Sequence, residues 1–383
     1  MSTPTDWDPK APEVLADPIN AYDTMRTRCP VANSGDGHHA VFRHADVMRI
    51  LFDPETFSSG ASHQISVPHS MDPPVHTAFR RLIDPYFSPA RIAAFEPVCE
   101  RICAELTDRL PADGQIELMF NLAHPFALSI QCAFLGWPET LHEPLLQWIL
   151  KKNAVTLSGD PQAVAAVGQE FDATIRALLQ TRRAAGADAP DDATTRLMRE
   201  TVDGRPLTEA EIVSILRNWA VGELGTIAAS VGIIALYLAR HPQLQQALRA
   251  NPALIRAAND EILRIQAPLL GNRRILTQPA RLGGKDLPAG ERLVLMWASA
   301  NRDEAVFGDP DEFRLDRDPA LNLLYGAGIH ACPGAPLARL ELETLVRALL
   351  MATRRIEPIP DAHPSPSAYP TGGYRQVPLR IRR

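Results

Sequence analysis

The stretch Tyr325-Gly326-Ala327-Gly328-Ile329-His330-Ala331-Cys332-Pro333-Gly334 constrains this chain more than any other. Leu342, Leu345, Val346, Leu349 and Leu350 follow at helical spacing, so a glycine-rich loop runs into an amphipathic helix with Cys332 just before its first turn. Unpaired backbone N–H groups at such a terminus favour a thiolate over a thiol. The glycines let the loop approach a flat ligand closely, and further N–H groups can bond the sulfur and tune its electron density. Two plainer readings stand beside this one. Gly326, Gly328 and Ala331 imitate a dinucleotide fingerprint, but that needs a strand before it, and Asp316, Arg317, Asp318, Pro319 and Asn322 come first. In the other, Cys332 is an inert buried thiol and the glycines only shape a turn.

The loop resembles the haem-binding segment of the cytochrome P450 family, which reads aromatic-Gly-x-Gly-x-His-x-Cys-x-Gly. Every position matches, with Tyr325 where phenylalanine is usual, and the resemblance runs in family order from residue 17 to the end. It implies a mainly α fold with small β-sheets, a triangular prism of helices around a buried haem. Residues 1–383 then form one haem-binding domain with residues 1–17 loosely ordered. The implied cofactor is haem b, iron protoporphyrin IX, with Cys332 as axial thiolate and with Tyr325, Gly326, His330 and Gly334 in the loop around it. The implied activity inserts one atom of O2 into a small or medium apolar organic substrate, by hydroxylation or O-dealkylation. Cys332 acts there as ligand and electron donor, not as nucleophile. A peroxide-driven oxygenase, an oxidative coupling enzyme and a non-catalytic haem sensor are the alternatives.

Other segments carry the same resemblance. Glu261 and Arg264 lie three apart on one helix face, ordinarily a surface pair. They match the family's Glu-x-x-Arg helix, and Arg317 stands where a later arginine completes a buried structural triad. In Asp72-Pro73-Pro74-Val75-His76-Thr77-Ala78-Phe79-Arg80, His76 and Arg80 lie four apart, suited to a carboxylate. With Arg274 and His330 they match positions that bind the haem propionates. The segment Ala220-Val221-Gly222-Glu223-Leu224-Gly225-Thr226 resembles the oxygen-side helix, usually Ala-Gly-x-acid-Thr-Thr. Aligned without gaps, Leu224 takes the acid's place and Gly225 that of the first threonine; only Thr226 survives. Glu223 and Thr226, three apart, offer a displaced acid–alcohol pair, with ordered water beside Gly225 as another proton route. A network role for Glu223 with no catalytic task is the plain alternative.

Substrate contacts are expected from residues 62–69, including Ile65 and Val67, from Ala220 and Val221, from Leu269 and Leu270, and from the loop 369–374. The stretch between Ser59 and Met71 is short, which implies an open mouth. The wording resembles a bacterial branch often fused to a reductase. Here the chain ends soon after the haem-binding segment, without a ferredoxin-type cysteine run, so a separate ferredoxin or flavodoxin system with an NAD(P)H-dependent reductase is expected to supply electrons. Arg80, Arg81, Arg339 and Arg347 form a candidate basic patch for that donor, or else solvated helix charge.

Composition sets the remaining bounds. A net charge of −6 without a basic block disfavours nucleic acid, an N-terminus without a signal pattern points to the cytoplasm, and a monomer is expected. Five scattered cysteines argue against a disulfide framework, and Cys99 and Cys103, four apart, read as small buried residues. The apolar run 212–239 reads as a buried core helix, opened by a capping box at Thr208 and Glu211 and closed near Arg240, His241 and Pro242. Asn251 and Pro252 begin the next helix. Strands are expected at 39–43 and 293–297, and a polar loop at 184–194.

Overall fold

A computed structural model describes residues 5–34, 37–61, 65–158, 160–367 and 369–383. The architecture is mainly helical with small sheets, as expected. Its centre is the helix Glu209–Arg240. The capping box starts it: the Glu211 N–H donates to the Thr208 hydroxyl at 3.3 Å, and the Thr208 N–H donates to the Glu211 carboxylate at 2.8 Å. His241 and Pro242 end it. By length and composition this helix could cross a membrane, yet 67% of its most apolar window is buried inside the protein. Ile215, Leu216, Ile233 and Leu238 expose nothing, and each such side chain contributes on the order of 2 kcal/mol by leaving water. The helices His124–Leu135, Pro161–Ala185, Ile255–Ile265 and Ala335–Ala352 pack around it.

The larger sheet runs in the order Val31–Asn33, His38–Val41, Arg292–Met296, Gly271–Leu276, Phe57–Ser58. Both strands expected from the sequence lie in it, the first one residue shorter and the second shifted by one residue, since Trp297 already belongs to a helical turn. Leu293 pairs opposite Arg274, so the ladder sets the point at which Arg274 leaves the sheet. A second sheet joins Arg355–Pro358, Pro378–Arg382 and Asp113–Glu117.

Three local expectations change. The loop placed at 184–194 is largely helical, with Gly186–Asp188 in a 3-10 turn and Ala193–Leu197 in a helix capped by Asp192, which accepts the Thr195 N–H at 2.8 Å. Asn251 makes no side-chain cap, and a 3-10 turn at Pro252–Leu254 precedes the helix Ile255–Ile265. Within the segment expected to be loose, Pro12–Ala16 is helical and Trp7 is buried, its ring 5.1 Å from that of Phe42. Burying an indole ties down a terminus that composition alone leaves free.

Candidate active site

The loop before the helix Ala335–Ala352 carries Cys332 at its end. The Cys332 N–H donates to the Tyr325 carbonyl at 2.9 Å, closing the loop on itself. Gly326 and Gly328 both have positive φ, +69° and +67°. A Cβ on Gly328 would lie 2.2 Å from the Leu51 carbonyl oxygen, so this glycine lets the loop pass another backbone segment. Gly334 faces the sulfur: a Cβ there would sit 3.8 Å from Cys332 Sγ. The side chain of Cys332 is exposed, and burial raises its thiol. The Gly334 and Ala335 N–H groups and the Arg80 charge act in the opposite direction, as helix-terminal donors should.

Cations and imidazoles gather beside this loop. The His76 and His330 rings lie 4.3 Å apart between centroids. His330 Nε2 shares a 2.8 Å hydrogen bond with the Ser59 hydroxyl, and burial, then Arg274, His76 and His69, push its imidazole down to about 3. Arg80 donates to the Ala331 carbonyl at 2.7 Å and pairs with Asp84 at 2.7 Å. Arg274 is buried; it donates to the Arg273 carbonyl at 2.7 Å, and burial lowers it to about 10. Asp72, held by the Ser58 hydroxyl at 2.5 Å and the Ser59 N–H at 2.9 Å, is the acid that acts on Arg274. His76 Nε2 is buried without a hydrogen-bond partner. Such a surplus of buried donors calls for an anion. A haem, with a thiolate ligand on one side and two propionates at its edge, fits these residues.

The triad assembles. The Glu261 carboxylate accepts from Arg264 at 2.8 and 2.9 Å and from Arg317 Nε at 2.9 Å. Arg264 is 1% exposed and also donates to the Asn301 carbonyl at 2.8 Å. The Asn301 side-chain oxygen accepts the Leu323 N–H at 2.7 Å, and the Leu323 carbonyl accepts the Gly326 N–H at 2.9 Å. The ion pairs are thus tied, one peptide group at a time, to the cysteine loop.

On the central helix the expected acid–alcohol pair does not form. The Thr226 hydroxyl donates to the Gly222 carbonyl, one turn back. Glu223 interacts instead with Glu341 of the helix Ala335–Ala352, and Glu223 Oε1 and both Glu341 oxygens are buried without a hydrogen-bond partner among the described residues. Burial raises Glu223 to about 7 and lifts Glu341 well above the carboxylate range, the Glu223 charge adding to the second effect. Two carboxyls in apolar surroundings cannot both ionise cheaply, so the pair retains a proton at neutral pH. A cavity of about 370 Å³ lies beside the next turn, lined by Leu224, Gly225, Ala228 and Ala229, by Trp148 and Lys152 of the helix His142–Ser158, and by Thr371 and Tyr374.

A family profile described as Cytochrome P450 matches residues 117–373. The erythromycin C-12 hydroxylase of Saccharopolyspora erythraea is 33% identical, over 87% of this chain and 86% of that protein. This chain is a member of the cytochrome P450 family. Linalool 8-monooxygenase of Pseudomonas putida is 29% identical over 89% of this P450 and 90% of its own length. The structure of cytochrome P450 CYP109Q5 from Chondromyces apiculatus superposes with a TM-score of 0.87 at 28% identity, covering 98% of both chains. As a member of this family, the protein is a haem-thiolate monooxygenase that uses haem b and acts on organic substrates.

The other expected site residues of this P450 lie as follows. Ser62, His63 and Gln64 lie outside the described residues. Val67 and Ala220 are fully buried in the main core and present no surface to a ligand, whereas Ile65 is mostly exposed; its carbonyl accepts from Arg217 at 2.7 Å. Leu269 and Leu270 hold backbone: Leu269 bridges Thr371, and the Leu270 N–H donates to Pro370 at 3.0 Å. None of these, nor Val221, lines the cavity; the loop 369–374 does, through Thr371 and Tyr374. The basic patch is largely neutralised, since Arg80 pairs with Asp84, Arg339 with Asp260 at 2.9 Å and Arg347 with Glu343 at 2.9 Å, leaving exposed Arg81. Sequence reasoning missed Glu341 and Lys152. An acid four residues after Leu337 and four before Leu345, on the buried stripe of an amphipathic helix, was the signal for Glu341; Lys152 carried none.

Proposed function

We propose that this P450 inserts one oxygen atom from O2 into an organic substrate, with Cys332 as the iron ligand and Arg80, Arg274, His76 and His330 around the propionates. The observation that carries this reading is the convergence of Cys332, at a helix terminus, with buried cations and a His76 nitrogen unpartnered among the described residues. Bound haem supplies the O2 activation that no protein side chain can provide. The chain's own residues hold the sulfur beneath the Gly334 and Ala335 N–H groups, orient the propionates and manage protons. Glu223 and Glu341 hold a proton between the central helix and the cysteine-side helix, and Thr226 and Gly222 shape the helix face that meets oxygen. Gly225 supplies room for substrate or water, and the Tyr325 ring, with the Arg339 guanidinium stacked 4.6 Å from it, braces the loop at Gly326. The triad Glu261, Arg264 and Arg317 acts structurally.

Residues 1–383 work as one cytoplasmic haem-binding unit, a monomer reduced by a separate ferredoxin or flavodoxin. The one-electron reduction typical of this family supports that reading. Arg81 is the surface cation available to steer an acidic donor, so Arg81→Glu slows reduction at low salt and converges with wild type at high salt. The absorbance of the ferrous CO complex tests the central claim: a strongly red-shifted Soret band is expected, and Cys332→Ser abolishes it. An unshifted band in the wild type would overturn the assignment. A second reading, peroxide-driven oxygenation, rests on Leu224 and Gly225 standing where the family's acid and first threonine are usual. Peroxide-supported turnover faster than donor-supported turnover would favour it.

A further inference from the structure

The cavity beside the central helix contains a cation with no counter-charge among the described residues. Lys152 projects from the helix His142–Ser158 so that its ammonium lies 5.7 Å from the Trp148 ring centroid and 3.9 Å from where a Cβ on Gly225 would stand. Trp148 is itself fixed: its indole N–H donates to the Val167 carbonyl at 2.8 Å, and its ring stacks on Phe171 at 4.4 Å. The ammonium is therefore held toward the cavity by a rigid aromatic wall. No carboxylate among the described residues pairs with Lys152, whereas the neighbouring Lys151 pairs with Glu170. Among the described residues lining this cavity none is an Asp or Glu. His124 lines it too, with a buried Nδ1 that has no hydrogen-bond partner. Burial lowers the Lys152 ammonium, so holding the charge there is costly without an anion. Toward the central helix the wall, Leu224, Ala228 and Ala229, is apolar, while Arg375, whose Nε donates to the Pro366 carbonyl, and polar side chains such as Asn153 and Gln376 complete the lining.

From this arrangement we infer that Lys152 is a specificity-determining residue that binds the carboxylate of an amphiphilic substrate, whose apolar part lies against the central helix. A compact ammonium facing the apolar wall of the central helix suits the single charge of a carboxylate that carries an apolar tail. The inference rests on the monooxygenase reading above and names its substrate class. Glycine at 225 is part of the device. An acid there would stand within reach of Lys152 and neutralise it from inside.

Octanoate and octanamide, nearly identical in shape, provide the test. Calorimetric titration of the haem-loaded protein is expected to give at least tenfold tighter binding of octanoate, the usual scale of one charge-assisted hydrogen bond in a desolvated pocket. Lys152→Met, which keeps length and apolar bulk, is expected to remove the preference, and Gly225→Asp to do the same by internal pairing. Equal affinity of the wild type for the two probes overturns the inference without relying on any variant. So does a preference that survives in Lys152→Met. The ferrous CO band, recorded on the same sample, separates this outcome from failure of the haem-thiolate assignment.

Discussion

Replacing Glu223 with Gln removes the ionisable half of the buried carboxyl pair while keeping its volume. Burial moves the Glu223 carboxyl from its usual 4.5 to about 7, a displacement worth about 3 kcal/mol. Above about pH 4.5 the unfolded chain has released this proton, while the folded protein keeps it until about pH 7. Unfolding then releases a proton, so the stability contributed by this group is complete below 4.5 and is lost as pH rises toward 7. Glutamine never ionises and escapes that loss. Differential scanning calorimetry of both proteins at a series of pH values should show their midpoints diverging in favour of the variant between about 4.5 and 7, then running parallel. Parallel midpoints across the whole window would refute the buried-pair argument. The same variant bears on catalysis: turnover and coupling of electrons to product should both fall, alone or with Thr226→Ala. Untouched coupling in both variants would leave Glu223 with a purely structural task.

Glu261→Gln strands two guanidiniums around a neutral amide, one of them 1% exposed, and should cost about 3–5 kcal/mol of stability and lower haem retention; an unchanged thermal midpoint would sink the triad argument. Gly328→Ala should displace the cysteine loop, because the new Cβ would meet the Leu51 carbonyl at 2.2 Å in a left-handed backbone. Gly290→Ala, equally left-handed but with nothing within 4 Å, should lose only about 1–2 kcal/mol, and haem content at purification distinguishes the two. Arg274→Ala should weaken haem retention in a transfer assay to apomyoglobin, since it removes a buried cation from the propionate cluster. Glu211→Gln loosens the cap of the central helix: Arg205, then the Thr208 groups, hold this carboxyl at about 2. Its contribution is present above 4.5 and fades as pH falls toward 2, about 1 kcal/mol after allowing for solvent screening. Urea midpoints at neutral and acid pH would check that slope.

What could be read in advance was local. The Glu261–Arg264 pair, the Thr208–Glu211 box and the cysteine loop depend on spacings of three or four residues or on the left-handed tolerance of glycine, and these properties travel with the chain. The surroundings of the expected substrate wall were not legible for the opposite reason. Val67 and Ile65 are both apolar in sequence, and only packing sends one into the core and the other to the surface. Asp260 likewise reaches Arg339 from another helix, whereas Asp84 and Glu343 stand four residues from Arg80 and Arg347, a spacing that was legible in the chain.

Chemistry carried by consecutive residues was therefore written in the amino-acid order: a thiol ahead of a helix, an acid and base on one face, a long apolar core helix. Pairings between distant segments were not, because they are set by how whole helices pack. Glu223 finds Glu341 on another helix, and Lys152 is carried over Gly225 by a neighbouring one; Arg317, 56 positions from Glu261, was foreseen only through the family resemblance. Each depends on an orientation that the summed burial of many side chains selects, which no short stretch of sequence contains.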